Sequence, residues 1–426
     1  MRLDRTIPQL FLLLAVLALA QPAQADEPIT VGDGTAASCT ETALANALAI
    51  AGAVGGGTIN FQCGAASISI PVTATFVIPD NTTINGGGTI ALVGGANVIV
   101  AFVSGNTTVV LNDLVISGRF CSFGSCNGGV HNEGTLTVNN TTFSDIHVNV
   151  TGALTNLGTV TVNYSVFLRN RGFLVAGGIL NHGTLTVNNS TFSDNDSDGG
   201  FGGAIANFGT ATVHNSTFSD SLVLLGPGGA IVNVGTLAVK NCRFSVSHGV
   251  GVGGGISSSG TLTIENSTFS PDNNAFNFGG GLAITDGFAS VRNSVFSRNH
   301  AEEGGGIANF ATLELIDSTV SGNNAIHTIP GLLGQGGGIF NAGTLSVVNS
   351  RVFGNGAADR GGGIFNLGTL ILNNSIITNN TAGVGGGIYN CLVGEVSGGS
   401  PNIPCHGRLI LNDTIVTENA PDNIFP

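Results

Sequence analysis

Three groups of side chains in this chain have types and spacings suited to chemistry or recognition. The first is Asp194-Asn195-Asp196-Ser197-Asp198-Gly199, which places hard oxygens at alternate positions along a Gly-ended segment, as in the first half of a calcium loop. Asp194, Asp196 and Asp198 are thus the candidate Ca²⁺ ligands, although Ile205 stands where the loop's bidentate Glu belongs. No other cofactor is indicated. The second is an aromatic row, Phe340, Phe365 and Tyr389, at a near-constant interval. Exposed in register, such rings make a stacking platform for a sugar or an apolar seam for a partner. The third is a Thr-x-Thr column, Thr135/Thr137, Thr159/Thr161, Thr184/Thr186, Thr210/Thr212 and Thr261/Thr263, broken at Ala238. Outward threonines at the strand spacing of about 4.8 Å form a hydroxyl lattice that could meet ice or another ordered surface.

Catalysis on polysaccharides would require clustered carboxylates for acid–base work, with an Arg or Lys nearby. The chain has no Asp-Asp pair, no Gly-His-Gly and no Arg-x-Lys; Asn181-His182-Gly183, Ser247-His248-Gly249 and Cys405-His406-Gly407 are faint echoes. Lys240 reads as a lone charge. No catalytic residue is assigned. The chain reads as a binding protein, with a polysaccharide lyase or glycoside hydrolase as the alternative.

What must position these groups is a repeat. Gly-Gly-Gly-Ile-x-Asn-x-Gly-Thr-Leu-x-Val-x-Asn-Ser-x-Phe returns about every 25 residues. Its first Asn falls at Asn132, Asn156, Asn181, Asn207, Asn233, Asn309, Asn341, Asn366 and Asn390, with Ser258 and Ile284 in the remaining slots. A second Asn column runs through Asn140, Asn189, Asn215, Asn241, Asn266, Asn293, Asn349 and Asn374. A fixed period of this length marks a solenoid. Within it, Leu185 and Val187 alternate with Thr184 and Thr186, the period of a strand, and no segment has a helical period. The pattern predicts a right-handed parallel β-helix, all-β, with three strands per coil of about 25 residues and a short N-terminal capping helix. Alternation turns Ile364 and Asn366 inward and Phe365 outward, and stacks Phe143, Phe167, Phe192, Phe218, Phe244, Phe269 and Phe296 inside. Both Asn columns are expected inside the bends, their amides bonded along the axis.

Residues 1–25 read as a secretory signal peptide: Arg2 and Arg5, an apolar stretch from Leu10 to Ala20, then Ala23-Gln24-Ala25. Residues 26–57 read as a cap with a helix from Glu41 to Ala53, residues 58–420 as the β-helix, and residues 421–426 as a tail. Of seven cysteines, proximity pairs Cys39 with Cys63, Cys121 with Cys126 and Cys391 with Cys405, leaving Cys242 as an inert thiol. With a net charge of −13 the chain is no nucleic-acid binder, and it has no apolar run long enough to span a membrane. A secreted or cell-surface monomer is expected, with a polysaccharide or a host or cell-surface component as partner.

Gly202-Gly203-Ala204-Ile205 and Gly228-Gly229-Ala230-Ile231, with Phe167-Leu168-Arg169-Asn170, Phe192-Ser193-Asp194-Asn195 and Phe296-Ser297-Arg298-Asn299, resemble the two halves of the chlamydial polymorphic outer membrane protein repeat. Over residues 110–420 the chain is similar to exported bacterial right-handed β-helix repeat proteins. The resemblance implies the same fold and an adhesin-like role. It does not extend to the membrane barrel that follows the repeats in the chlamydial proteins.

Overall fold

The structure is a computed structural model that describes residues 27–118, 128–149, 152–326, 334–392 and 405–426. The expected signal peptide and the expected Cys121–Cys126 pair lie outside the described residues. One coil shows the plan: strands Ile179–Asn181, Thr184–Asn188, Thr191–Ser193 and Asp196–Ser197 follow one another around the axis. Each lies parallel to its copy in the next coil, with Ile179 beside Ile205, Thr184 beside Thr210, Thr191 beside Thr217 and Asp196 beside Leu222. The result is an all-β parallel solenoid of three sheets, with 27, 14 and 9 strands among the described residues, and one short helix.

The largest sheet, here the wide face, takes two strands from each coil. Thr-Leu-x-Val and Ser-x-Phe thus share one sheet, and a single residue bends the chain between them. That residue belongs to the second Asn column, which corrects its expected interior placement. Asn140, Asn189, Asn215, Asn241, Asn266, Asn293, Asn349 and Asn374 have φ between 47° and 53°, and they are exposed. Asn tolerates this left-handed backbone where most residues are strained. Asp317 and Asp413 fill the slot for the same reason, and Tyr164 occupies it at φ 51°. The third sheet comes from a two-residue strand that follows the slot held by Asn in Phe-x-x-Asn, too short to announce itself in the sequence.

The 14-stranded sheet is built from the Gly-Ile-x-Asn segments. The core between the three sheets holds Ile179, Leu185, Val187 and Phe192 and their copies, all buried. Seven phenylalanines, Phe143 to Phe296, stack with ring centroids 4.5–4.8 Å apart and planes within 10° of parallel. The coil rise imposes this face-to-face stacking, since free rings prefer offset or edge-on pairs.

Polar columns run through the same interior. Asn132, Asn156, Asn181 and Asn207 each donate from Nδ2 to Oδ1 of the next Asn at 2.7–2.8 Å, and Asn233 ends the run on Ser258 Oγ at 3.0 Å. Ile284 interrupts the column, which resumes through Asn309, Asn341, Asn366 and Asn390 at 2.7–2.8 Å. Each amide also satisfies backbone carbonyls at the bend, as Asn207 does with Gly209 and Thr236. A further buried ladder comes from the Asn slot after the third-strand apolar residue, Phe in Phe-x-x-Asn and Val or Ile in later coils. It links Asn170 to Asn195, then Asn273, Asn299, Asn323, Asn355, Asn380 and Asn419, with Ser221 and Ser247 in the gap.

The first coil is covered by helix α1, Glu41–Val54, which buries Leu44, Ala47, Leu48 and Ala51 against it. Thr40 caps α1 by accepting from the Ala43 N–H, and Gly55 closes it at φ 86°. Glu41 accepts from the Thr73 hydroxyl at 2.8 Å and the Ala74 N–H at 3.1 Å, tying the helix to an early coil. The Cys39–Cys63 and Cys391–Cys405 disulfides are both formed. Two end segments differ from expectation. Ile29–Val31, within the expected cap, already pairs with the first coil, and Ile424–Phe425, within the expected tail, pairs with Ile388 and Tyr389.

Candidate binding faces

On the wide face, every second side chain of the five-residue strand points to solvent, so three outward columns run along the rod. The first, at Thr108, Thr135, Thr159, Thr184, Thr210, Thr236 and Thr261, is threonine coil after coil until Phe288 replaces it. The second holds Thr137, Thr161, Thr186 and Thr212, then Ala238, Thr263, Ser290 and Glu314. The third was not singled out in the sequence. Asn60, Asn85, Asn112, Asn139, Asn163 and Asn188 lie in register, each Nδ2 donating to the preceding Oδ1 at 2.7–2.9 Å. Its signal was the Asn of Thr-Leu-x-Val-Asn, hidden beside the bend Asn that comes next. Further along, this column becomes His214, Lys240, Glu265 and Arg292. Lys240 is therefore not a lone charge, because its Nζ lies 3.1 Å from Glu265.

The aromatic row lies on the outside of the 14-stranded sheet, as alternation requires, but it is not an exposed platform. Phe340 and Phe365 are fully buried, and Tyr389 is 5% exposed. The three rings stack at 5.6 and 5.3 Å, Phe425 continues the row at 5.2 Å, and Leu367, Cys391 and Cys405 pack with them. At the other end the small Ala308 leaves room for Phe278, Phe310 and Phe340 to converge, Phe278 edge-on to Phe310 at 4.9 Å. These side chains form a second apolar core outside the coil, which explains why bulky rings recur at an outward position.

A polar column flanks this outer core. Phe278, Glu303, Gln335, Arg360 and Val384 are successive bridge partners in adjacent coils. The Arg360 guanidinium lies over the Tyr389 ring at 5.2 Å. Glu303 is 6% exposed, and its neighbour Glu302 is buried as well. Burial, reinforced by the Glu302 carboxylate, pushes the Glu303 carboxyl up to about 8. Glu302-Glu303 escaped the sequence reading because two adjacent glutamates in a Gly-rich turn look like a solvated loop.

The acidic segment spans a bend, a two-residue strand and a second bend. Asn195 and Ser197 turn inward, while Asp194 and Asp198 lie in bends on either side of Asp196. Asp194 sits at φ 52° in an exposed bend. Asp196 accepts from the Leu222 N–H at 3.1 Å, and burial pushes its carboxyl up to about 6. Asp198 is engaged by Arg171 at 2.7 Å. Among the described residues no three His, Cys, Asp or Glu side chains gather to hold a metal ion.

No family model matches the chain, and no curated protein matches it in sequence. Among solved structures it is similar to the A-module of mannuronan C-5 epimerase AlgE6 from Azotobacter vinelandii, at 13% identity over 92% of this chain and 99% of that one, with a TM-score of 0.40. It is also similar to PfbA, a surface adhesin of Streptococcus pneumoniae, at 12% identity over 81% of this chain and 91% of that one, with a TM-score of 0.42. At this distance neither likeness bears on activity.

Proposed function

We propose that this chain is an exported, monomeric binding rod of adhesin-like character, meeting a polysaccharide or a cell-surface component. The observation that carries this reading is the wide face: long, in register and lined by threonine hydroxyls together with amides that keep one N–H beyond their ladder. Two disulfides and a leader-like N-terminus support export to an oxidising compartment. Among the described residues no helix is long and apolar enough to cross a membrane. The repeat's resemblance to the chlamydial outer-membrane-protein repeats supports the same role.

A second reading, a carbohydrate-active enzyme, is favoured by Glu303 alone. A carboxyl that stays protonated near neutral pH has the property of a general acid for glycosidic cleavage, and Arg360 and Tyr389 lie along the same strip. The experiment that separates the two is incubation of the chain with plant, algal and bacterial polysaccharides, with and without Ca²⁺, assaying new reducing or unsaturated ends. The binding reading expects retention without turnover. Turnover that disappears in Glu303→Gln would replace it with the enzyme reading.

A further inference from the structure

The wide face is not uniform along its length, and the difference identifies a ligand class for the binding role proposed for this chain, on which the inference rests. From Asn60 to Asn188 the three outward columns of its five-residue strand carry Thr, Asn, one Val (Val110) and, in the first coil, Gly56, with no ionisable side chain among them; Asp80, at their edge, accepts from the Thr108 N–H. Beyond it come His214, Lys240, Glu265 and Arg292 in the Asn column, Phe288 in the first and Glu314 in the second. A chain of net charge −13 therefore presents a neutral strip six coils long, about 24 Å at the strand spacing. Within the strip each amide spends one N–H on the ladder. Among the described residues, its second N–H and the hydroxyls of Thr135, Thr137, Thr159, Thr161, Thr184 and Thr186 have no hydrogen-bond partner. The ladder holds the amides in a single orientation, so these donors and acceptors are preorganised and little side-chain entropy is lost when they bind.

Each ligand chemistry makes its own demand. Nucleic acid needs basic side chains, and an anionic glycan needs a counter-charge that the strip lacks. A protein partner needs a buried apolar centre, and the strip offers hydroxyls. What remains is a polymer whose groups both donate and accept without charge. We infer that the strip from Asn60 to Asn188, with its flanking threonines, binds an uncharged polyhydroxyl polymer, a neutral glucan, laid along the rod axis.

The test is co-sedimentation of the full chain with particulate curdlan and with microcrystalline cellulose, beside alginate and pectin beads as anionic probes. Thr161→Val with Thr186→Val removes two hydroxyls while keeping β-branched shape, so the sheet is preserved. Thr161→Glu with Thr186→Glu adds two charges, and Ser346→Glu with Ile371→Glu places the same charge in the same column outside the strip. Retention on a neutral glucan should fall about tenfold in both strip variants and stay unchanged in Ser346→Glu with Ile371→Glu, with melting temperatures confirming that each folds. Retention on neutral glucan that survives both strip variants, or retention confined to the anionic beads, overturns the assignment of the strip and leaves a binding rod with another site. Absence of retention on every polysaccharide and on whole cells overturns the binding reading and the strip with it.

Discussion

At the scale of single residues, the two Asn columns that looked alike do opposite work. Asn207 is buried and bonds the next coil's Asn and two backbone carbonyls, so Asn207→Ala should strand those acceptors and cost about 2–4 kcal/mol. Asn189 is exposed and is there for its left-handed φ of 50°, so Asn189→Gly should be nearly neutral. Urea unfolding of the two variants would separate the roles. The sequence showed which positions recur but not which side of the chain each takes, because an Asn that lines a core and an Asn that bends a turn share one letter. Glu303 yields a second expectation. Its carboxyl titrates near 8 in the folded chain against an ordinary 4.5, so the folded state holds the proton more tightly than the unfolded one. Stability is then fully present below about 4.5 and is lost as the pH rises through about 8. Glu303→Gln should lose this dependence and melt higher than the parent at pH 9, a result readable from melting curves taken between pH 4 and pH 9.

At the scale of elements, the repeat made most of the fold legible. Its period, its two-residue alternation and its lack of helical spacing were enough for a parallel solenoid, and the helix over the first coil was readable from the Ala/Leu-rich run between Glu41 and Ala53. What stayed hidden were elements too short to carry a period, such as Asp196–Ser197, and pairings decided by distant coils, such as Ile424–Phe425 on Ile388–Tyr389. The aromatic row shows the same limit. Alternation put it outside the coil, while its burial depends on Phe278, Phe310 and Leu367, which come from other slots of the repeat. Among the staples, Cys39–Cys63 closes a span of 24 residues and joins the segment before α1 to the strip's first coil. Replacing both cysteines with Ser should lower stability by about 3 kcal/mol, and amide exchange should rise in α1 and the early coils before it rises near Phe296.

At the scale of the whole molecule, composition indicated an acidic, glycine-rich rod, yet the uneven distribution of charge along it emerged only when the coils were placed in register. The neutral strip and the charged stretch after His214 belong to the same columns. The interior ladders are uneven in the same way. The Asn column that starts at Asn132 breaks at Ile284, and the Phe-x-x-Asn column breaks at Ser221 and Ser247, so both gaps fall in neighbouring coils near the middle of the rod. A rod anchored at one end and loaded at the other passes tension through every coil, and its yield point is set by the least cross-linked belt. Pulled from its ends in an optical trap, the protein should part first between about Ser221 and Ile284 and release the two flanking stacks as separate steps. Ile284→Asn, which would bridge the first gap, should raise that first rupture force. The middle coils would then act as a mechanical fuse, giving way while both ends remain wound.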